Sequence, residues 1–327
     1  MRSRRRAGGP GARVLLRGSL GLAPLALACA LACAPARAPE PSYDPAASVL
    51  EVVSVLRRHV PDDTYRFPPA RDFTGRNLYR ASLLRLENLE QAHADALRAG
   101  HMADVIAFAM GRALERLRAF DLAAASYRRA AESAGPLAEP ALRGAALCDA
   151  FAEAASMARG ARPEGSVADP DAILEAHEMR LGLLEAVRTD TQATHYAAIL
   201  GEEVEAADVD RARRFVALRR VLPEGDVRAI GELQRVVVSH RESKNANRHL
   251  LELADLYAAL AEEYVAANPP EGLGFDPPGF QDLVDSASRL YEAVANQDGT
   301  TEKLEAQRRL EAFLAFTLRV DRDRFSR

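Results

Sequence analysis

His177-Glu178 opens the pattern that sets two zinc-binding histidines one helical turn apart around a general-base glutamate, but Leu181 stands where the second histidine must be. Asp62-Asp63 would begin an aspartate-rich isoprenoid-synthase motif, and Arg66 takes the place of its third carboxylate. The chain has no glycine-rich phosphate loop, no G-x-S-x-G nucleophile turn and no C-x-x-C-H haem site. Its seven histidines, at 59, 93, 101, 177, 195, 240 and 249, are scattered. A zinc site would need three or four of them, or acids, to converge from distant segments, and satisfied or solvent-facing imidazoles are the simpler expectation. No catalytic residue, metal ligand or cofactor is therefore assigned, and the chain is not expected to be an enzyme.

One enzymatic alternative stays open. A helical toroid acting on peptidoglycan or another glycan could use acids such as Asp62, Glu87 or Glu90. It would need a deep cleft with two carboxylates roughly 5 to 10 Å apart. Sugar clefts rely on aromatic stacking, and this chain has no tryptophan, which weighs against it. The densest aromatic and arginine cluster, Tyr65, Phe67, Phe73 and Tyr79 among Arg66, Arg71, Arg76 and Arg80, suits either a partner surface or a segment folded back over the first helices.

The start of the chain carries an address. Arg2, Arg4, Arg5, Arg6, Arg13 and Arg17 precede an uncharged apolar run over residues 20–32, the charged and apolar regions of a signal peptide. That run is shorter than the ~20 residues a membrane-spanning helix needs. It closes twice on Ala-Leu-Ala-Cys, ending at Cys29 and at Cys33, and this resembles a bacterial lipobox. The resemblance implies diacylation of Cys33, with Cys29 as the alternative, after removal of residues 1–32. Residues 33–43, rich in proline and alanine, read as an extended tether. The chain is then expected on the periplasmic side of the outer membrane, held by lipid alone, or else soluble in the periplasm after ordinary signal cleavage. Losing the leader leaves 37 basic against 47 acidic residues, a net charge of −10 that argues against nucleic acid and anionic lipid as main partners. Apart from Cys29 and Cys33 only Cys148 remains, set among Leu142, Ala145, Ala146 and Phe151, so no internal disulfide is expected and the thiol reads as core.

What would position any site is helical throughout. After Asp44-Pro45, an N-cap and a proline at the first helical position, Val49, Val52, Val53, Leu56 and Val60 recur at i, i+3, i+4, i+7 and i+11. Leu78, Leu83, Leu86 and Leu89 form a second stripe that Gly100 ends. Further stripes are separated at Asp121, Gly135-Pro136, residues 160–165, Asp169-Pro170, Pro223-Glu224-Gly225, Asn268-Pro269-Pro270 and Asp298-Gly299, which gives about a dozen helices. No five-residue segment alternates convincingly, and Val236-Val237-Val238 lies inside a helical stripe, so no sheet is expected. Helices of this length joined by short turns must pair as antiparallel hairpins, and hairpins in series stack as a solenoid.

Residues 104–137 carry the sharpest pattern: Gly111, Leu114, Phe120, Ala123, Tyr127, Ala130 and Gly135. This resembles one tetratricopeptide repeat. Ala107 stands where that repeat has a bulky aromatic, and its closing proline comes one residue late, at Pro136. A weaker echo pairs Leu250, Leu253, Ala254 and Tyr257 with Ala287, Tyr291 and Val294 across a proline- and glycine-rich insertion at 268–279. The fold class expected for residues 44–327 is thus all-α, tetratricopeptide-like hairpins stacked as an α-solenoid, in one array or two divided near 160–170. The resemblance implies a groove lined by the first helix of each hairpin, here Val105, Phe108, Arg112, Glu115 and Arg116, that binds a protein or peptide of an envelope complex.

Overall fold

A computed structural model describes residues 43–59, 78–160, 169–192 and 194–325. The lipidation candidates Cys29 and Cys33, the tether up to residue 42, Asp62, and the Tyr65–Arg80 cluster apart from its last members lie outside the described residues. Twelve helices follow one another among those described: α1 (Pro45–His59), α2 (Leu78–Ala99), α3 (Ala103–Arg116), α4 (Phe120–Ala131), α5 (Ala138–Gly160), α6 (Pro170–Ala186), the single turn α7 (Arg188–Thr191), α8 (Tyr196–Leu218), α9 (Gly225–Ser239), α10 (Ala246–Ala267), α11 (Pro277–Ala295) and α12 (Glu302–Phe325). No strand occurs among the described residues. The fold is all-α, and Pro45–Arg327 form one compact unit.

The helices pack as consecutive hairpins. Each long helix lies against the one before it and the one after it, α6 passing directly to α8, with further backbone contacts one helix on, as in α1 with α3, α3 with α5 and α10 with α12, and side-chain contacts from the start of α8 back to α3. This nearest-neighbour wiring is what stacked hairpins require.

The stripes read from the sequence are the buried faces. Val49, Val52 and Leu56 of α1 and Leu86 and Leu89 of α2 are buried, and so is Tyr79, whose hydroxyl donates to the His59 carbonyl at 3.1 Å. In α9 Val236 is buried while Val238 faces outward, so the three valines follow a helix rather than a strand.

The α3–α4 hairpin shows why small residues are spaced as they are. Tyr127 of α4 is fully buried with its ring against Gly111 of α3, where an added Cβ would stand 2.6 Å from the ring. Gly144 of α5 meets the other edge at 3.0 Å. Three helices close around one aromatic ring because two of them carry no side chain at that level. Phe120 packs near Phe151 of α5, ring centroids 5.4 Å apart, and Cys148 is fully buried, its thiol pushed far above the usual range chiefly by burial.

Four turns place the left-handed residue on something other than glycine, Ala134 (φ 49°) beside Gly135, Glu224 (φ 52°) beside Gly225, and His101 and Arg118. Gly100 follows α2, but the left-handed residue is His101 (φ 55°), with Met102 N donating to Leu97 O and His101 N to Arg98 O. The break expected at Asp121 falls earlier, at Arg118 (φ 59°), with Ala119 N bonded to Leu114 O and Arg118 N to Glu115 O. Both are Schellman motifs that satisfy orphan carbonyls without the usual glycine. Asp121 instead sits in the first turn of α4, where a negative charge suits the helix dipole. Elsewhere the turn chemistry matches: Asp169 caps α6 by accepting from Asp171 N, and Asp276 caps α11 by accepting from Gly279 N, each just before a proline.

Candidate functional site

The five positions expected to line a groove lie on α3. Val105 and Phe108 are half-buried and pack on the core, and Arg112 keeps a quarter of its side chain in solvent. Glu115 and Arg116 are fully buried, which corrects their assignment to an open face. The physical reason is α8, whose N-terminal end covers this part of α3 with His195 and Tyr196.

Glu115 is the centre of a closed polar knot. Tyr127 donates to its Oε2 at 2.6 Å, His195 Nε2 lies 2.6 Å from its Oε1, and Arg112 donates to the same oxygen at 3.3 Å. Burial works against ionisation of this carboxyl, but Arg112, His195 and Tyr127 outweigh it and hold the group below its ordinary range. Burial, opposed by Glu115 and aided by Arg112, lowers His195 and favours the neutral imidazole, whose Nε2 faces Glu115 and is also the ring nitrogen nearest Arg112. The Arg112 guanidinium also stands over three rings, Phe108 at 5.1 Å, Tyr196 at 5.6 Å and Tyr127 at 5.9 Å. An aromatic cage of this kind accepts a cation, and here the cation is the protein's own.

A second polar layer runs along α8. Glu203, fully buried, accepts two bonds from Arg118 at 2.6 and 2.8 Å, and Arg180 of α6 bonds Asp210 at 2.8 Å. Asp208 gathers His177 of α6 at 3.1 Å, Arg235 of α9 at 2.8 Å and His240 at 2.8 Å. Glu205 accepts from Ser243 at 2.8 Å, Asn245 at 3.0 Å and His249 of α10 at 2.6 Å. Burial opposes both ionisations. Hydrogen bonds led by His249 nonetheless push Glu205 down to about 2, and those led by His177 hold Asp208 far below the carboxylate range.

Four histidines that look scattered in the sequence thus meet three acids, across sequence separations of 31 to 80 residues. Sequence reasoning missed this because each member alone reads as solvent-facing; the only local hint is the Ser243–Asn245 cluster, which marks a turn. Among the described residues no group of three or more His, Cys, Asp or Glu is arranged to hold a metal ion. Glu115, Glu203, Glu205 and Asp208 each already receive several donors, so the arrangement fixes helices to one another and leaves little acceptor capacity on them for a substrate.

Beside this layer lies a shallow, solvent-open recess lined by Met157, Ile173, Ala207, Arg180, Arg211 and Arg214. It holds one carboxylate, Asp210, which Arg180 engages. Of the acids considered for a glycan cleft, Glu87 is exposed on α2 and Glu90 pairs with Arg129 of α4 at 3.4 Å. No family model and no curated protein matches the chain.

Proposed function

We propose that the chain is an envelope lipoprotein that acts as a protein-binding scaffold, exported by its leader, anchored through Cys33 or Cys29, and built from tetratricopeptide-like hairpins. The observation that carries this reading is the α3–α4 hairpin. The residues that carry the repeat pattern, Gly111, Leu114, Phe120, Ala123, Tyr127 and Ala130, are its buried contacts, and further hairpins stack on both sides of it. Such a stack displays a rigid surface that recognises a helix or extended segment by apolar anchors with charged residues fixing orientation. On α3 the residues available for this are Val105, Phe108 and Arg112; Glu115 and Arg116 support them from beneath. The leader and the −10 charge favour a protein or peptide of the envelope over nucleic acid.

The test is purification of the tagged full chain from detergent-solubilised envelopes, with mass spectrometry of the co-purifying proteins and of the chain's own N-terminus. A stoichiometric partner that is lost on Val105→Glu, together with a diacylglyceryl cysteine at 33 or 29, is the expected result. A partner retained by Val105→Glu, or none at all, removes the α3 surface from the reading; an unmodified N-terminus removes the anchor.

A further inference from the structure

We infer that the recess between α6 and α8 binds inorganic phosphate, an oxyanion that keeps a hydroxyl at neutral pH. Two stripes at helical spacing line it. Ile173, His177 and Arg180 stand at i, i+4 and i+7 on α6, and Ala207, Arg211 and Arg214 at the same spacing on α8, with Met157 of α5 beside them. The lining carries three arginines against a single acid, Asp210, in a chain whose overall charge is negative. None of these residues belongs to the α3 surface, so the inference stands apart from the scaffold reading.

Two atoms of the lining lack a partner. His177 engages Asp208 through Nε2 at 3.1 Å, and Arg180 donates from Nη1 to Asp210 at 2.8 Å. His177 Nδ1 and Arg180 Nε make no hydrogen bond among the described residues, on side chains only 4% and 5% exposed. A buried polar atom left unpaired costs about 1–3 kcal/mol, so two of them three residues apart on one helix face call for an occupant. Asp208 is ionised and can only accept, so the His177 nitrogen facing it carries the hydrogen, and Nδ1 of the neutral ring is an acceptor. Arg180 Nε–H is a donor. The occupant must therefore offer a donor and an acceptor together and suit an arginine rim.

Hydrogen phosphate meets all three conditions. Its hydroxyl donates to His177 Nδ1, and its charged oxygens accept from Arg180 Nε and from Nη1 of Arg211, whose Nε and Nη2 are taken by Glu232. Sulfate has the same shape and attracts the same arginines but has no hydroxyl to give. The two unpaired atoms are shielded from bulk water, so the ion enters as the rim side chains swing outward.

The experiment is titration calorimetry of the detergent-purified full chain with sodium phosphate and with sodium sulfate, at neutral pH and equal ionic strength. Phosphate is expected to bind about tenfold or more tighter than sulfate, the cost of setting a second acceptor against His177 Nδ1. Ala176, half-buried in the lining, makes none of these polar contacts, so Ala176→Met fills the recess and is expected to abolish phosphate binding with helicity unchanged. Equal affinity for the two anions overturns the proposal, because the arginines alone would then account for binding. Phosphate binding retained in Ala176→Met, or no binding of either anion by the native chain, overturns it as well.

Discussion

At the scale of single residues the decisive fact is how little room surrounds Tyr127. Gly111→Ala would normally stabilise a helix by roughly 0.5–1 kcal/mol. Here the new methyl would stand 2.6 Å from a fully buried ring, and overpacking of this kind costs about 1–3 kcal/mol. The substitution is expected to lower the unfolding free energy, read by urea denaturation; a neutral or stabilising result would mean the ring can move aside. Glu205 offers a second test. Its carboxyl sits at about 2 against an ordinary 4.5, so folding favours the ionised form. That stability is complete above pH 4.5 and is lost as pH falls toward 2. The stability gap between the native chain and Glu205→Gln, on the order of 2 kcal/mol at pH 7, is expected to shrink steadily below pH 4.5. A gap independent of pH would assign the effect to packing. The glycine–tyrosine packing was legible from the spacing of Gly111, Ala123 and Tyr127. The Glu205 pairing was not, because its partner His249 lies 44 residues away.

At the scale of elements the sequence speaks clearly where turn chemistry is conventional. Asp169-Pro170, Asn268-Pro269-Pro270 and Asp298-Gly299 each mark a helix boundary, and the apolar stripes of α1 and α2 are their buried faces. It misleads where a bulky residue takes the left-handed conformation, as at His101 and Arg118, since only histidine's modest enrichment there, and nothing in arginine, announces φ above zero. This suggests an improvement to the fold. His101 is exposed, so His101→Gly relieves left-handed strain without removing packing. The expected gain is roughly 0.5–1 kcal/mol, seen as a rise in the midpoint of thermal unfolding, and a loss would show that the imidazole contributes more than the strain it imposes. Arg118→Gly is expected to go the other way, because that side chain holds the buried Glu203.

At the scale of the whole unit the apolar core is not continuous. One cluster runs from Val49 to Leu200, two others run from Val209 to Val320, a small one joins Ile173 to Phe215 and Leu222, and the stretch of α8 between the large clusters carries Glu202, Glu203, Glu205 and Asp208. Residues 202–208, four acids with Val204 and two alanines, read in sequence as a solvated face; here they form a polar joint between two oily blocks, invisible until the partners on α6, α9 and α10 are placed. Asp208→Ala leaves His177 and His240 without their acceptor and Arg235 with Glu232 alone, and is expected to cost about 1–3 kcal/mol. Because the joint couples the blocks, calorimetry is expected to resolve two transitions in this variant where the native chain shows one; a single transition at lower temperature would mean that the apolar contacts alone keep the blocks cooperative.

The buried Cys148 turns this architecture into something that can be timed. Apart from Cys29 and Cys33 it is the chain's one cysteine, shut inside α5 and deprived of its reactive anion by its surroundings. An alkylating reagent can reach it only in the moments when the first block comes apart. The native chain therefore carries its own stopwatch for the opening of α3–α5, needing no added dye, and a bound partner on that block would be heard as a slower tick.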